Sequence, residues 1–598
     1  MGLFQKAVET YDAHLDYVGR AIDGRQMLVP VSHIITRADL EIALERDGSF
    51  STARAVAQEE PKIPIPATEE SAGRTSGPCA HPLCDQLCYL APYNKKKHTL
   101  YVKQLASWAD SPHSHPMLRP ILTYVQGGTI LADLAGIGLI ALDEKGAPKN
   151  EKLLVRWRVH GIGTPHDGCW QQPSLYRAFQ DWYASSQGEN RSLCMITGVQ
   201  AVPAKQHQKG IIPYNENAKL ISANDNSNFT FRGRFTDDSQ AATVSYLASQ
   251  KAHNALRWIA AEQGASAVFG GRTFLCWNPQ GVRVCHAAGP FGDRSKVVTK
   301  PSDYRRELKK TLEGYRSQLP EQNHDIVVAA FDAATTGRLS LTYYNELRSS
   351  DYLQRLHEWD QYCCWYGWNE QIQSPSLRQI VNCAFGTQAE EKGQARLKTP
   401  DKLMGQQMQR LVACRVDRAH MPLDIVKALF HRASTPQAYD PSIWRVILAT
   451  ACAVIQKYRY DVYKEECNME LHSERDDRSL QFGRLLAVME KVERDTYDQN
   501  ETREPNAIRL MSMFCRRPMK TASMLNEHLN NAYFPRLKTP AMRAFYRSLI
   551  SDIFEEIKKA PESQWNDSLG ETYLMGYYLQ RKKLYTKKDQ NNQTEEAL

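Results

Sequence analysis

TEESAGRTSGPCAHPLCDQLCYL, residues Thr68–Leu90, lies between an extended run spaced by Pro61, Pro64 and Pro66 and an apolar, helix-like segment. The chain passes here from β-like to helix-like sequence, as an α+β fold requires. The irregular middle holds Ser71, Gly73, Arg74, Thr75, Ser76 and Gly77. Such a loop brings backbone N–H groups and short hydroxyls close to a partner, with one guanidinium in reach. A phosphate or a base edge suits that equipment. A plain turn closed by its own hydrogen bonds suits it too, and composition alone favours that reading.

Upstream, Leu3–Val18 reads as an amphipathic helix with Phe4, Val8, Tyr11, Leu15 and Val18 on one face. Two β-like runs follow, Met27–Thr36 and Leu40–Leu44, then a turn at Asp47-Gly48 before Phe50–Val56. Asp-Gly between such runs predicts a hairpin. The loop is therefore expected on a sheet edge.

Downstream, Lys95, Lys96 and Lys97 form a basic cluster just ahead of a helix expected over Leu100–Trp108. The cluster reads either as a solvated loop or as a phosphate clamp beside Arg74. In Leu153–His160, Arg156 and Arg158 fall on one strand face, because side chains repeat every two residues. Arg232 and Arg234 repeat that spacing near Phe229 and Phe231. Arginine interleaved with aromatics suits single-stranded nucleic acid, and a half-exposed strand accounts for either pair as well. Trp359, Tyr362, Trp365, Tyr366 and Trp368 read as core or subunit interface.

From Lys402 the apolar spacing is helical throughout. Trp444, Ile447, Cys452 and Ile455 share a face, and Phe482, Leu485, Leu486, Met489 and Val492 follow the i, i+3, i+4, i+7 rule. Thr539-Pro540 predicts a helix start, and Ser568 with Glu571 a capping box. The fold class is α+β. A large mixed N-terminal region of short β-sheets and helices (1–385) is followed by a linker or exposed loop (386–401) and an all-α helical bundle (402–598).

The length of 598 residues exceeds one hydrophobic core and predicts two to four domains. Hydrophobic residues at 42% and charged residues at 24% describe an ordinary globular chain. A net charge of +8 is small for this length, so any nucleic-acid surface must be local. The first residues do not read as a signal peptide, and no run is long enough to span a membrane. Fourteen cysteines without regular spacing fit reduced thiols in a cytoplasm.

Motifs for chemistry are missing. There is no G-x-x-x-x-G-K-[ST] run, and Gly136-Ile137-Gly138 lacks the third glycine of a dinucleotide fingerprint. His166-Asp167 and His324-Asp325 lack the further ligands of a metal-dependent phosphohydrolase. Cys79, His81, Cys84 and Cys88 place four possible zinc ligands in ten residues, but not as two knuckles, and Cys84 with Cys88 would share a helix face. No metal, cofactor or catalytic residue is assigned, and the chain reads as non-enzymatic.

PVSHIITRADLEIAL at Pro30–Leu44, the Thr68–Leu90 stretch, LISANDNSNFTFRGRF at Leu220–Phe235, HNALRWI at His253–Ile259, FDAATTGRLSLTYYNEL at Phe331–Leu347, FGRLLAVMEKVERD at Phe482–Asp495 and YLMGYYLQRKKLY at Tyr573–Tyr585 occur in consistent order. Together they resemble the large subunit of the type I-C CRISPR surveillance complex, Cascade. The resemblance weakens over Leu139–Thr197 and Gly264–Leu319. It implies a non-catalytic subunit of an RNA-guided complex that recognises a protospacer-adjacent motif on duplex DNA, opens the duplex, holds the displaced strand and docks a helicase–nuclease. Its partners would be the guide RNA complex with other Cascade subunits, target DNA and that nuclease, with no membrane. The residues that composition and spacing offer for DNA contact in such a role are Ser71, Arg74, Thr75, Ser76, Lys95, Lys96, Lys97, Arg156, Arg158, Arg232 and Arg234. The resemblance also implies a separate small subunit made by an internal start, for which Met469 is the expected position and 469–598 the expected product. A metal-dependent nucleic-acid-processing enzyme and a purely structural scaffold are the alternatives.

Overall fold

A computed structural model describes residues 2–586, apart from 23, 75–76, 189, 214, 216, 223–242, 294, 319–324, 336, 392, 467–468, 472–476 and 499. It is a mixed α+β structure divided into two compact units, one of 1–268, 272–284 and 324–346, the other of 269–271, 285–323 and 347–598.

The first unit is built on three strands in the order Phe50–Ala55, Leu40–Leu44, Val155–Val159. The first pair is antiparallel and the second parallel. The Asp47-Gly48 turn closes the hairpin as expected, with Gly48 at φ 90° and Asp47 Oδ1 accepting the Ser49 amide at 2.9 Å. A side chain at 48 would also crowd the Pro120 carbonyl, so glycine is needed twice over. Of Met27–Thr36 only His33–Thr36 is a strand, and it pairs with Ile63–Pro66. A four-stranded sheet runs Arg338–Arg348, Asp325–Thr335, Arg272–Trp277, Ser266–Phe269. Trp108, Trp157 and Phe179 are fully buried in this unit's core.

The N-terminal helix is Leu3–Ala13, shorter than expected, and its buried side is broader than expected: Tyr11 is buried and Phe4, Val8 and Val18 pack against the core, but polar residues join them. Leu3, Lys6, Ala7, Thr10 and Tyr11 are buried, whereas Leu15 is exposed in a following 3₁₀ turn. The cause is long-range: Lys6 Nζ bonds Asp325 at 2.7 Å as well as Glu9 at 2.9 Å, so a lysine enters the buried face already paired.

In the second unit, Arg478–Arg494 packs along Thr572–Tyr585 and Pro540–Lys558. Thr539 caps the latter helix by accepting the Met542 amide at 3.2 Å, with Pro540 in the first turn. The Ser568–Glu571 capping box does not form, because the last helix begins at Thr572, whose hydroxyl donates to Asp477 instead. The polar segment expected as linker or loop lies within this unit. There Thr387–Glu391 and Gln394–Lys398 pair as an exposed antiparallel hairpin. No helix among the described residues is long and apolar enough to cross a membrane.

Candidate nucleic-acid interface

The Thr68–Leu90 segment packs on a sheet edge. Gln86 bridges Leu154, and the Val155 amide donates to Asp85 O at 3.0 Å, so the segment covers the outer side of Val155–Val159. Trp157 Nε1 and the Tyr101 hydroxyl both donate to Leu83 O, at 2.9 and 2.6 Å. Thr68 and Ser71 cap a one-turn helix, Glu69–Ala72, each side chain bonding the other's backbone. Ser71 is buried by that role and faces no solvent.

Arg74 turns inward as well. Its guanidinium donates to both oxygens of Asp85, at 2.9 and 2.6 Å, and to the Cys79 carbonyl at 2.8 Å. The Asp85 side chain is 0% exposed and also accepts the amides of His81 and Gln86, both at 2.7 Å. Burial raises the Asp85 pKa above the ordinary carboxylate value, and Arg74 with the two amides offsets only part of that rise. The expected DNA-facing guanidinium is thus committed to closing the loop. Thr75 and Ser76 lie outside the described residues. Burial pushes the Cys84 thiol up to about 12, and Cys84 precedes the Leu87–Leu90 helix that carries Cys88, so the two share no helix face.

The lysine cluster belongs to the first turn of its helix, Lys95–Ala109, which Asn94 caps. Three cations at a helix N-terminus oppose the helix dipole, and only Lys97 has a partner there among the described residues, the Cys88 thiol at 3.4 Å. Lys95 and Lys96 are exposed. Lys97 Nζ lies 5.3 Å from the Tyr89 ring centroid, and Arg74 lies 4.7 Å from the same ring. The two expected sites therefore meet at one tyrosine.

Arg156 and Arg158 do share a strand face, and both lie over Trp170, at 4.1 and 5.4 Å. That face is closed. Arg156, 3% exposed, bonds Glu41 and Glu60, while Arg158 and Arg54 bond Glu41. Arg54 and then Arg156 hold the Glu60 carboxyl down to about 2. Arg156 is a buried cross-link rather than an open contact, and Arg158 and Arg54 form its partly exposed rim. Arg232 and Arg234 lie outside the described residues.

A more basic tract lies in the second unit. Residues 505–551 hold eight lysines and arginines against one carboxylate, Glu527, a surplus of seven in a chain whose total is +8. Arg509, Arg516, Arg517, Lys520, Arg536, Lys538 and Arg547 are exposed. None of the seven side chains makes an ion pair among the described residues. Counting charge in windows finds this tract; counting it over the whole chain hides it. Unpaired surface cations in such density favour a polyanion.

No curated protein matches the chain. The family model described as CRISPR-associated protein (Cas_Csd1) matches residues 8–585, and the chain therefore belongs to the Cas_Csd1 family of CRISPR-associated proteins.

Proposed function

We propose that the chain is the large subunit of a type I-C surveillance complex. In this reading it recognises a short motif on duplex DNA, assists strand opening, holds the displaced strand and docks a helicase–nuclease, with no catalysis of its own. It would work in the cytoplasm beside guide RNA and the other Cascade subunits. The division of labour is the one RNA-guided effectors use: protein reads a short motif and base pairing reads the rest.

The observation that carries the reading is the unpaired basic tract of residues 505–551 in a chain of this family. A scaffold touching only protein has no need of seven exposed cations lacking ion-pair partners. Thr75, Ser76, Lys95 and Lys96 remain the candidates for motif reading, with Arg74 and Ser71 shaping the loop from inside. Arg232 and Arg234 remain candidates for the opened strand.

The test is permanganate footprinting of target duplex in the reconstituted complex. The expected result is displaced-strand reactivity that needs the adjacent motif and drops when Arg516 and Arg517 are both replaced by alanine. Full reactivity in a complex lacking this chain would overturn the reading.

A further inference from the structure

Trp368 parts company with its aromatic neighbours. Trp359, Trp365 and Tyr366 are buried, whereas Trp368 is half-buried and lines a cavity of about 270 Å³ with Tyr439, Trp444, Arg445, Arg494 and Arg581. A second cavity of about 190 Å³ shares Trp368 and Arg581 and adds Lys582. The guanidiniums of Arg581 and Arg445 lie 4.3 and 5.1 Å from the Trp368 ring centroid.

The charges do not cancel. Glu490 is 1% exposed, and Arg494, Arg581 and the Tyr577 hydroxyl already surround it. Glu504 sits 3.3 Å from Arg494. Arg445 is exposed and makes no ion pair among the described residues. The cavity thus offers aromatic rings, guanidinium planes and one surplus cation.

That combination fits a flat heteroaromatic ring carrying a phosphate, since bases stack on both aromatic rings and arginine planes. A cationic side chain from a protein partner would meet three arginines. Size agrees: an engineered cavity of about 150 Å³ takes benzene, so this one has room for a nucleobase. Glu504 and Ile508 line it, and Arg509, the first cation of the basic tract, follows directly.

We propose that this cavity receives one nucleobase of a single strand held on the basic tract, with Arg445 on the adjoining phosphate. The inference rests on the nucleic-acid reading above. Its test uses the full chain and two labelled single strands of equal length, one thymidine-rich and one with the same backbone but abasic sites, compared by fluorescence anisotropy. The intact strand should bind about tenfold more tightly. That preference should disappear in Trp368→Leu, whereas Arg445→Ala, which removes a phosphate contact that both strands make, should weaken both and leave the preference in place. In the Arg516→Ala/Arg517→Ala variant both strands should weaken while the preference persists. Equal binding of the two strands by the unaltered chain, a preference that survives Trp368→Leu, or an Arg445→Ala chain that binds both strands as tightly as the unaltered one overturns the pocket and leaves polyanion binding standing. Binding of neither strand overturns both.

Discussion

Gly483 makes room for the backbone of Tyr573: a β-carbon at 483 would overlap the Tyr573 carbonyl oxygen and lie 2.7 Å from the Tyr577 amide nitrogen. The relation is reciprocal, since a β-carbon at Gly576 would overlap the Leu480 carbonyl. The helices Arg478–Arg494 and Thr572–Tyr585 therefore meet backbone to backbone, closer than any side chain allows.

This contact predicts a reversal of the usual substitution rule. Alanine for glycine within a helix ordinarily stabilises by about 1 kcal/mol. Gly314→Ala, on an exposed helix with open space around it, should follow that rule. Gly483→Ala and Gly576→Ala should instead destabilise by about 3 kcal/mol, because rigid backbone and not a mobile side chain must give way. Urea unfolding of the three variants decides it, and a stabilised Gly483→Ala would refute the close crossing.

Arg74→Ala separates a structural arginine from one that reads DNA. Removing the guanidinium leaves the Asp85 carboxylate buried without its cation, a loss of about 3 kcal/mol. Arg74→Lys should recover only part, since an ammonium cannot reproduce the two-pronged bond. The loss should appear in the unfolding of the free chain, with no DNA present. Unchanged stability together with lost binding to flanked duplex would return Arg74 to the interface.

Acid should weaken the first unit through its buried histidines. Burial lowers His33 to about 4, His253 to about 3, and, with help from Arg74, His81 to about 3, all below the ordinary 6.5. Below pH 6.5 the unfolded chain takes up protons that the folded chain refuses. Stability is therefore complete above 6.5 and falls as pH drops toward 4, by up to about 1.4 kcal/mol per pH unit for each histidine. His33→Phe removes one contribution cleanly. The ring already packs edge-on against Tyr176 and Phe179, and the Val31 carbonyl keeps its bond from Gln180 Nε2. Denaturant titrations between pH 7.5 and 4.5 should show a shallower slope for His33→Phe; an identical slope would show that His33 does not titrate this way.

What could be read from sequence was local in origin. The Asp47-Gly48 hairpin and the Thr539-Pro540 helix start depend on residues within one turn, and both formed. The burial of Lys6 on the first helix depends on Asp325, more than three hundred residues away, so periodicity found Phe4, Val8, Tyr11 and Val18 but not Lys6, and it wrongly included Leu15. The alternation of Arg156 and Arg158 was legible, but not the carboxylates that close over them. Glu41 and Glu60 come from elsewhere in the chain, and only the folded sheet brings them to the pair. Arg74 illustrates the same limit over a shorter span, because nothing in TEESAGRTSG shows that Asp85 returns to meet it.

The segment 469–598 can be tested as a unit. Its central helix, Arg478–Arg494, packs against Thr572–Tyr585, Pro540–Lys558, Asn506–Arg509 and Pro518–His528, all of which the segment retains. Phe482, Leu485, Leu486, Met489 and Val492 are buried, so a start at Met489 would cut into the core. Met469 is itself buried, however, with its carbonyl accepting the Tyr366 hydroxyl at 3.2 Å. Tyr573 donates to Ser434 at 2.6 Å, and Tyr578 donates to the Tyr366 carbonyl at 3.0 Å. A product starting near Met469 would lack Tyr366 and Ser434, leaving one face of the last helix uncovered. Expressed alone, 469–598 should therefore show helical circular dichroism and a cooperative melt, yet self-associate in sedimentation. Within the assembled complex, mass spectrometry should find a C-terminal fragment beginning between the end of Pro441–Tyr463 and Phe482. An unfolded 469–598, or a complex with no such fragment, would rule out the internal start.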